Sequence, residues 1–237
     1  MGNRYRQLAV NPFKLFLLLL TLPVITQAAP PVIPQTLDYE VRPQGIPFSI
    51  NATRTLRQND QGLWTLQIRA SNFLGEIRET SQFRWHDCVP RTEQYSYLRR
   101  GLGRVREAQV AFDRDSRIAR SERSNRPQVE YAFADDTTDD LALSLWLQCA
   151  LSQGETDISV QVGDDRKVEQ QHYQVIGEER LRIDGKRLDT IKVQRLREPS
   201  SPRQTYMWFA PSLNYTLVQL IQDEDGSEHR MTLKSLN

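Results

Sequence analysis

The sequence holds few of the residues that mark reactive sites. Among its 237 residues there are two cysteines, three histidines and three methionines. His86, His172 and His229 stand at no metal-ligand spacing from one another or from a cysteine pair, so no metal is expected. No glycine-rich phosphate loop, nucleophile elbow or dinucleotide fingerprint occurs, so no cofactor is expected either. An excess of one charge is also missing, with 31 Lys plus Arg against 30 Asp plus Glu. A near-neutral, mixed surface lacks the basic field that nucleic acid requires and offers no polybasic patch for anionic lipid. Past residue 22 no apolar run approaches the roughly 20 residues needed to cross a bilayer as a helix.

The one long apolar run, Leu15-Phe16-Leu17-Leu18-Leu19-Leu20-Thr21-Leu22, follows Arg4, Arg6 and Lys14 and precedes Thr26-Gln27-Ala28-Ala29. That order is a secretory signal peptide over residues 1–28, cleaved after Ala28. The mature chain is expected to be soluble and exported, with no transmembrane segment. No cysteine lies near the junction to carry a lipid anchor.

Residues 29–36, with Pro30, Pro31 and Pro34, read as an extended lead-in, because proline denies backbone donors and forbids helix. Residues 37–237 then form a single β-rich domain. Leu37–Val41, Trp64–Ala70 and Val105–Phe112 alternate apolar with polar residues, the pattern of half-buried strands. Tight-turn sequences separate such runs, among them Asn59-Asp60-Gln61-Gly62, Asp184-Gly185 and Asp225-Gly226. Strands joined this way pair antiparallel, so a meander is expected.

One stretch breaks the alternation. From Asp139 to about residue 153 the polar residues Asp140, Ser144, Gln148 and Ser152 recur every four positions on a narrow stripe, with apolar side chains elsewhere. That is a helix buried around most of its circumference. Asp136 is the expected cap, with Asp139 in the capping-box position and Gly154 as the stop. With seven or eight strands before the helix and five or six after it, the economical architecture is mainly β. It is a strongly curved antiparallel sheet, or partly open barrel, whose concave side the helix fills. Two smaller β units joined by the helix are the alternative.

Cys88 and Cys149 are the whole cysteine complement. In an exported protein an even pair suits one disulfide, and two separate thiols are the other reading, with Cys149 packed on the helix. His86-Asp87-Cys88 suggests a Cys/His hydrolase, but on a strand Asp87 would point away from His86 and could not orient it. Pairing of Cys88 with Cys149 would remove the nucleophile altogether. Asp135 to Asp140 and Asp223-Glu224-Asp225-Gly226 lack a full calcium ladder and read as helix cap and hairpin turn. Arg99-Arg100-Gly101-Leu102-Gly103-Arg104 reads as a solvated hairpin turn.

Trp208-Phe209-Ala210-Pro211, followed by Asp223-Glu224-Asp225-Gly226, resembles the Trp-x-Ala-Pro signature of a family of exported bacterial proteins, domain of unknown function 3108. Tyr39-Glu40-Val41 with Gly45-Ile46-Pro47 is similar to that family's opening strand and turn. The resemblance spans about residues 37–236. It implies a periplasmic protein and supplies no catalytic residues.

Together these readings lead to a monomeric, non-enzymatic periplasmic protein of the cell envelope. It is expected to hold a lipid or acyl chain between sheet and helix, with Trp146, Leu147 and Trp208 as contacts. A structural or interaction module that binds another envelope protein is the alternative.

Overall fold

The computed structural model describes residues 1–2, 32–45, 48–73, 75–101 and 103–235. Residues 3–28 of the expected leader and 29–31 of the lead-in lie outside the described residues. Among the described residues nine strands precede one α-helix. They are β1 (Gln35–Arg42), β2 (Ile50–Gln58), β3 (Leu63–Asn72), β4 (Gly75–His86), β5 (Val89–Gly101), β6 (Arg104–Asp113), β7 (Ile118–Arg123), β8 (Arg126–Ala132) and β9 (Thr137–Asp139). After α1 (Leu143–Ser152) come β10 (Asp157–Gly163), β11 (Val168–Ile183), β12 (Lys186–Leu196), β13 (Arg203–Ala210), β14 (Thr216–Glu224) and β15 (Ser227–Leu233).

All fifteen strands belong to one sheet, in the order 8-7-6-5-4-3-2-1-15-14-13-12-11-10-9. Every neighbour pairs antiparallel except β9 with β10, which run parallel. Parallel neighbours need a crossover, and α1 is that crossover. Two meanders, β1–β8 and β10–β15, are thus stitched together by the pairing of β1 with β15, Tyr39 opposite Leu233.

The two edges approach each other without a ladder between them. Arg114, after β6, donates from Nη1 to the Asp135 carbonyl at 3.0 Å and from Nη2 to the Thr137 carbonyl at 2.8 Å, while its Nε reaches the Thr92 carbonyl at 3.1 Å. Ser121 Oγ donates to the Asp165 carbonyl at 2.8 Å, and the Tyr131 hydroxyl donates to the Asp164 carbonyl. At Gly163 an added Cβ would sit 2.7 Å from the Phe112 ring, so only glycine permits this approach. The result is a curved, unclosed barrel held by side-chain bonds along its seam.

The helix lies inside the curve, with Leu143 through Leu151 all buried. One side packs Trp146, Leu147, Ala150 and Leu151 against Val160, Tyr173, Phe209 and Leu217. Another sets Leu145, with Ala142 just before the helix, against Leu56, Trp64, Leu66 and Phe83. Its polar stripe is satisfied within the protein. Ser144 Oγ accepts from Arg54 Nη2 at 3.0 Å, and Gln148 Nε2 donates to the Asn214 carbonyl at 2.7 Å. Full encirclement explains why the sequence there lacks a broad solvated face.

Two expectations about this segment change. The helix begins at Leu143 and not at 139, and neither Asp136 nor any other side chain caps it. Asp139 closes β9 instead. Its Oδ1 accepts the Leu141 and Ala142 N–H groups at 2.8 and 2.9 Å, which holds residues 140–142 in a turn that delays the helix. Its Oδ2 accepts from Thr92 Oγ1 at 2.7 Å and from Ser81 Oγ, tying the crossover to β4 and β5. Gly154, at φ +84°, ends the helix as expected. The first strand starts at Gln35, inside the expected lead-in.

Candidate functional site

The pairing of the strands sorts the connections to two ends of the barrel. At one lie the β2–β3 turn, the β4–β5 turn and the connection from β13 to β14. The helix occupies this end, and Cys88 in the β4–β5 turn is disulfide-bonded to Cys149 of α1, with Cα atoms 5.4 Å apart. At the other end lie the connections β1–β2, β3–β4, β5–β6, β10–β11, β12–β13 and β14–β15. Between the first turn of the helix and this second end is a cavity of about 490 Å³. Its volume falls in the range of small-molecule sites, about 300–1,000 Å³.

The cavity is two-sided in chemistry. Ile68, Leu143, Met207, Leu217, Leu220 and Met231 give an apolar wall. Five arginines, Arg54, Arg166, Arg195, Arg197 and Arg203, line the rest with Glu79, Asp140, Asp164 and Glu169 among them. Three of the arginines have carboxylate partners: Arg195 with Glu169 at 3.1 Å, Arg166 with Asp164 at 3.3 Å and Arg203 with Glu224 at 2.8 Å.

Arg54 and Arg197 form no ion pair among the described residues. Arg54 is 3% exposed, beside Tyr39, and burial lowers its pKa. The Tyr39 hydroxyl donates to the Leu217 carbonyl at 2.7 Å. Arg197 has a buried Nε without a hydrogen-bond partner. Its pKa is lowered by burial and by the neighbouring Arg195. A buried cation without a counter-ion is costly unless something anionic meets it.

The acids answer in the opposite sense. Burial, reinforced by Asp140 and Asp139, raises Glu79 to about 7; Asp140 remains solvent-accessible, and the protein around it, with Asp139 beside it, shifts its pKa upward. Burial pushes the hydroxyls of Tyr95 and Tyr173 up as well. The wall of this cavity therefore becomes more positive as pH falls through that range. Glu169, Gln171, Arg195 and Arg197 also line a separate surface bowl of about 630 Å³.

The contacts expected from sequence fall elsewhere. Trp146 and Leu147 sit in the packed cluster around the helix. Trp208 lies in a separate cluster with Ile183 and Ile221, on the face of β13 opposite Met207 and Phe209. There its Nε1 donates to Glu179 Oε2 at 2.8 Å, and Lys192 Nζ lies 5.0 Å from the ring. None of the three lines the cavity.

Cys88 carries no thiol, so the nucleophile of the Cys/His hydrolase reading is consumed in the disulfide. The geometry of His86 and Asp87 also differs from expectation, since His86 Nδ1 and Asp87 Oδ2 are 3.1 Å apart. Asp87 is not on a strand. It occupies the turn at φ 53°, which swings its carboxylate back toward the imidazole.

Sequence reasoning missed Arg54, Glu79 and Arg197. A signal existed for the first, because Ala52, Arg54 and Leu56 share the inward face of β2 and a lone arginine interrupts that apolar row.

Fold and site together define a β-barrel-like protein with an internal plug helix and an arginine-lined cavity. The chain belongs to the family described as protein of unknown function DUF3108, whose model matches residues 38–234. Among solved structures it is similar to the β-barrel-like protein of domain of unknown function DUF1849 from Brucella abortus. That likeness is at 9% identity with a TM-score of 0.57, over 86% of this chain and 97% of that one. It shows the fold alone. No curated protein matches the chain.

Proposed function

We propose that this is an exported, non-enzymatic, monomeric protein of the bacterial periplasm that holds an anionic amphiphile, such as a fatty acid or lysolipid, in the cavity beside the helix. One observation carries the reading: Arg54 and Arg197 face the cavity without carboxylate partners, next to an apolar wall of Met207, Leu217, Leu220 and Met231. An anionic head group would compensate the arginines, and a short apolar chain would lie on the methionine and leucine side chains. Export is supported by the leader-like start and by a disulfide, a bond that persists in oxidising compartments.

The test is native mass spectrometry of the chain recovered after export, paired with calorimetric titration of dodecanoate. The expected result is a co-purified anionic amphiphile and saturable dodecanoate binding, weakened roughly tenfold in Arg197→Gln, the loss of one charge-assisted contact. A protein that carries no ligand and does not take up dodecanoate would overturn the proposal. A specific periplasmic crosslink to an envelope protein would then favour an interaction module.

A further inference from the structure

The end of the barrel toward which the cavity lies also carries an exposed aromatic pair among basic residues. Phe48, from the β1–β2 connection, and Phe73, from the β3–β4 turn, meet with ring centroids 5.6 Å apart although both are exposed, Phe73 at 85%. Ile77 on β4 and Val105 on β6 are also exposed, on opposite faces of the sheet, since Ile77 is in register with Arg99 and Val105 with Arg100. Large apolar side chains projecting from loop tips signal a surface that something apolar covers.

Charge at this tip is one-sided. Among the described residues in 43–49, 69–78 and 98–106 there are six arginines and one carboxylate, Glu76. Glu76 stands opposite Arg100 in the ladder but is held by Arg69 at 3.1 Å. Arg78, Arg99, Arg100 and Arg104 form no ion pair among the described residues, whereas Arg106 reaches Asp165 at 3.9 Å. Arg99 and Arg100 also rim a groove of about 170 Å³ with Ile50, Ala70 and Ile77 in its wall. The chain as a whole is near neutral, so the sequence total conceals this separation; antiparallel pairing of β3 to β6 assembles it from two hairpins, β3–β4 and β5–β6.

We propose that this tip docks the protein on an anionic phospholipid bilayer. Phe48, Phe73 and Ile77 would enter the interfacial layer, and Arg99, Arg100 and Arg104 would lie among the lipid phosphates. Aromatic side chains suit the boundary between head groups and acyl chains, and basic residues beside them are drawn to anionic lipid. Duplex nucleic acid would be met by arginines without need of the phenylalanine pair. A protein partner would need a surface both apolar and acidic, and nothing on the tip specifies its shape. The proposal stands whether or not the cavity holds a ligand.

The experiment is co-sedimentation of the chain from residue 29 onward, which keeps every strand and the helix, with phosphatidylcholine vesicles made with and without phosphatidylglycerol. Binding should require phosphatidylglycerol and weaken on raising salt from about 0.1 M to about 1 M, as screening dictates. Phe48→Ser with Phe73→Ser should lose roughly tenfold or more in affinity. Arg99→Gln with Arg100→Gln and Arg104→Gln should lose roughly a hundredfold, about fivefold for each charge removed from the surface. All these side chains are exposed or at the rim, and unchanged thermal melting of each variant would show that folding is intact. Equal binding to neutral and anionic vesicles, or variants that bind as the parent does, would overturn the proposal. So would capture of an acidic protein through this tip by a chain that ignores vesicles.

Discussion

The two ends of the barrel interior solve opposite problems. Around α1 the space is filled: Leu145 and Leu147 are fully buried, nine helical residues are enclosed, and a disulfide fixes the rod to the β4–β5 turn. Toward the far end the same strands leave about 490 Å³ unfilled and turn arginines and carboxylates inward. The first end has the composition of a core, the second that of a site. The contrast teaches that the helix fills one end of the barrel interior and leaves a polar-lined space toward the other.

Breaking the plug should have the largest effect. Replacing Cys149 by serine releases a closed segment of 61 residues, and loop entropy sets the loss at roughly 4 kcal/mol, to be read as a lowered urea midpoint. The double replacement of Cys88 and Cys149 should cost no more than the single one. A Leu147→Ala exchange in the filled end should cost about 3 kcal/mol, because its surroundings are packed on every side. Met231→Ala, on the cavity wall, should cost only about 1 kcal/mol, since a space already stands next to it. Equal losses at the two positions would show that the ends are not as different as described.

The third prediction concerns pH. Glu79 has a folded-state pKa of about 7 against 4.5 in an open chain, so between those values the folded protein keeps a proton that the unfolded chain has released. Stability is therefore greatest below that window and falls as pH rises through it, by roughly 2 kcal/mol between pH 5 and pH 8. Asp140 is shifted upward too, but its exposure to solvent makes its share small. Thermal melts across this range should flatten in Glu79→Gln, and a slope unchanged by that substitution would assign the dependence to other groups. The smallest effect belongs to Trp208→Phe, which removes the bond to Glu179 and should cost about 1 kcal/mol without altering dodecanoate binding.

Much of the architecture was legible because it rests on local periodicity. The strands at Leu37–Val41, Trp64–Ala70 and Val105–Phe112 occur within β1, β3 and β6, and the turn sequences Asn59–Gly62, Asp184-Gly185 and Asp225-Gly226 join strands as expected. The buried helix followed from its narrow polar stripe. Its start did not, since Asp139 is drawn out of the helix by Ser81 and Thr92, residues 58 and 47 positions away. Trp146 and Trp208 look equivalent in sequence, yet β13 presents Trp208 on the face away from the helix, where the outer part of the β11–β12 hairpin covers it.

By itself the sequence determined that strands alternate, where hairpins turn, that one segment must be wrapped in apolar surroundings, and that two cysteines are available to pair. Each of these depends on neighbours within a few residues. Only the tertiary structure decided that Arg54, Arg197, Glu79 and Asp140 share one cavity, and that Phe48, Phe73, Arg99 and Arg104 share one tip. Those groups come from strands far apart in the chain, and it is the register and curvature of the sheet, fixed over its whole breadth, that bring them together.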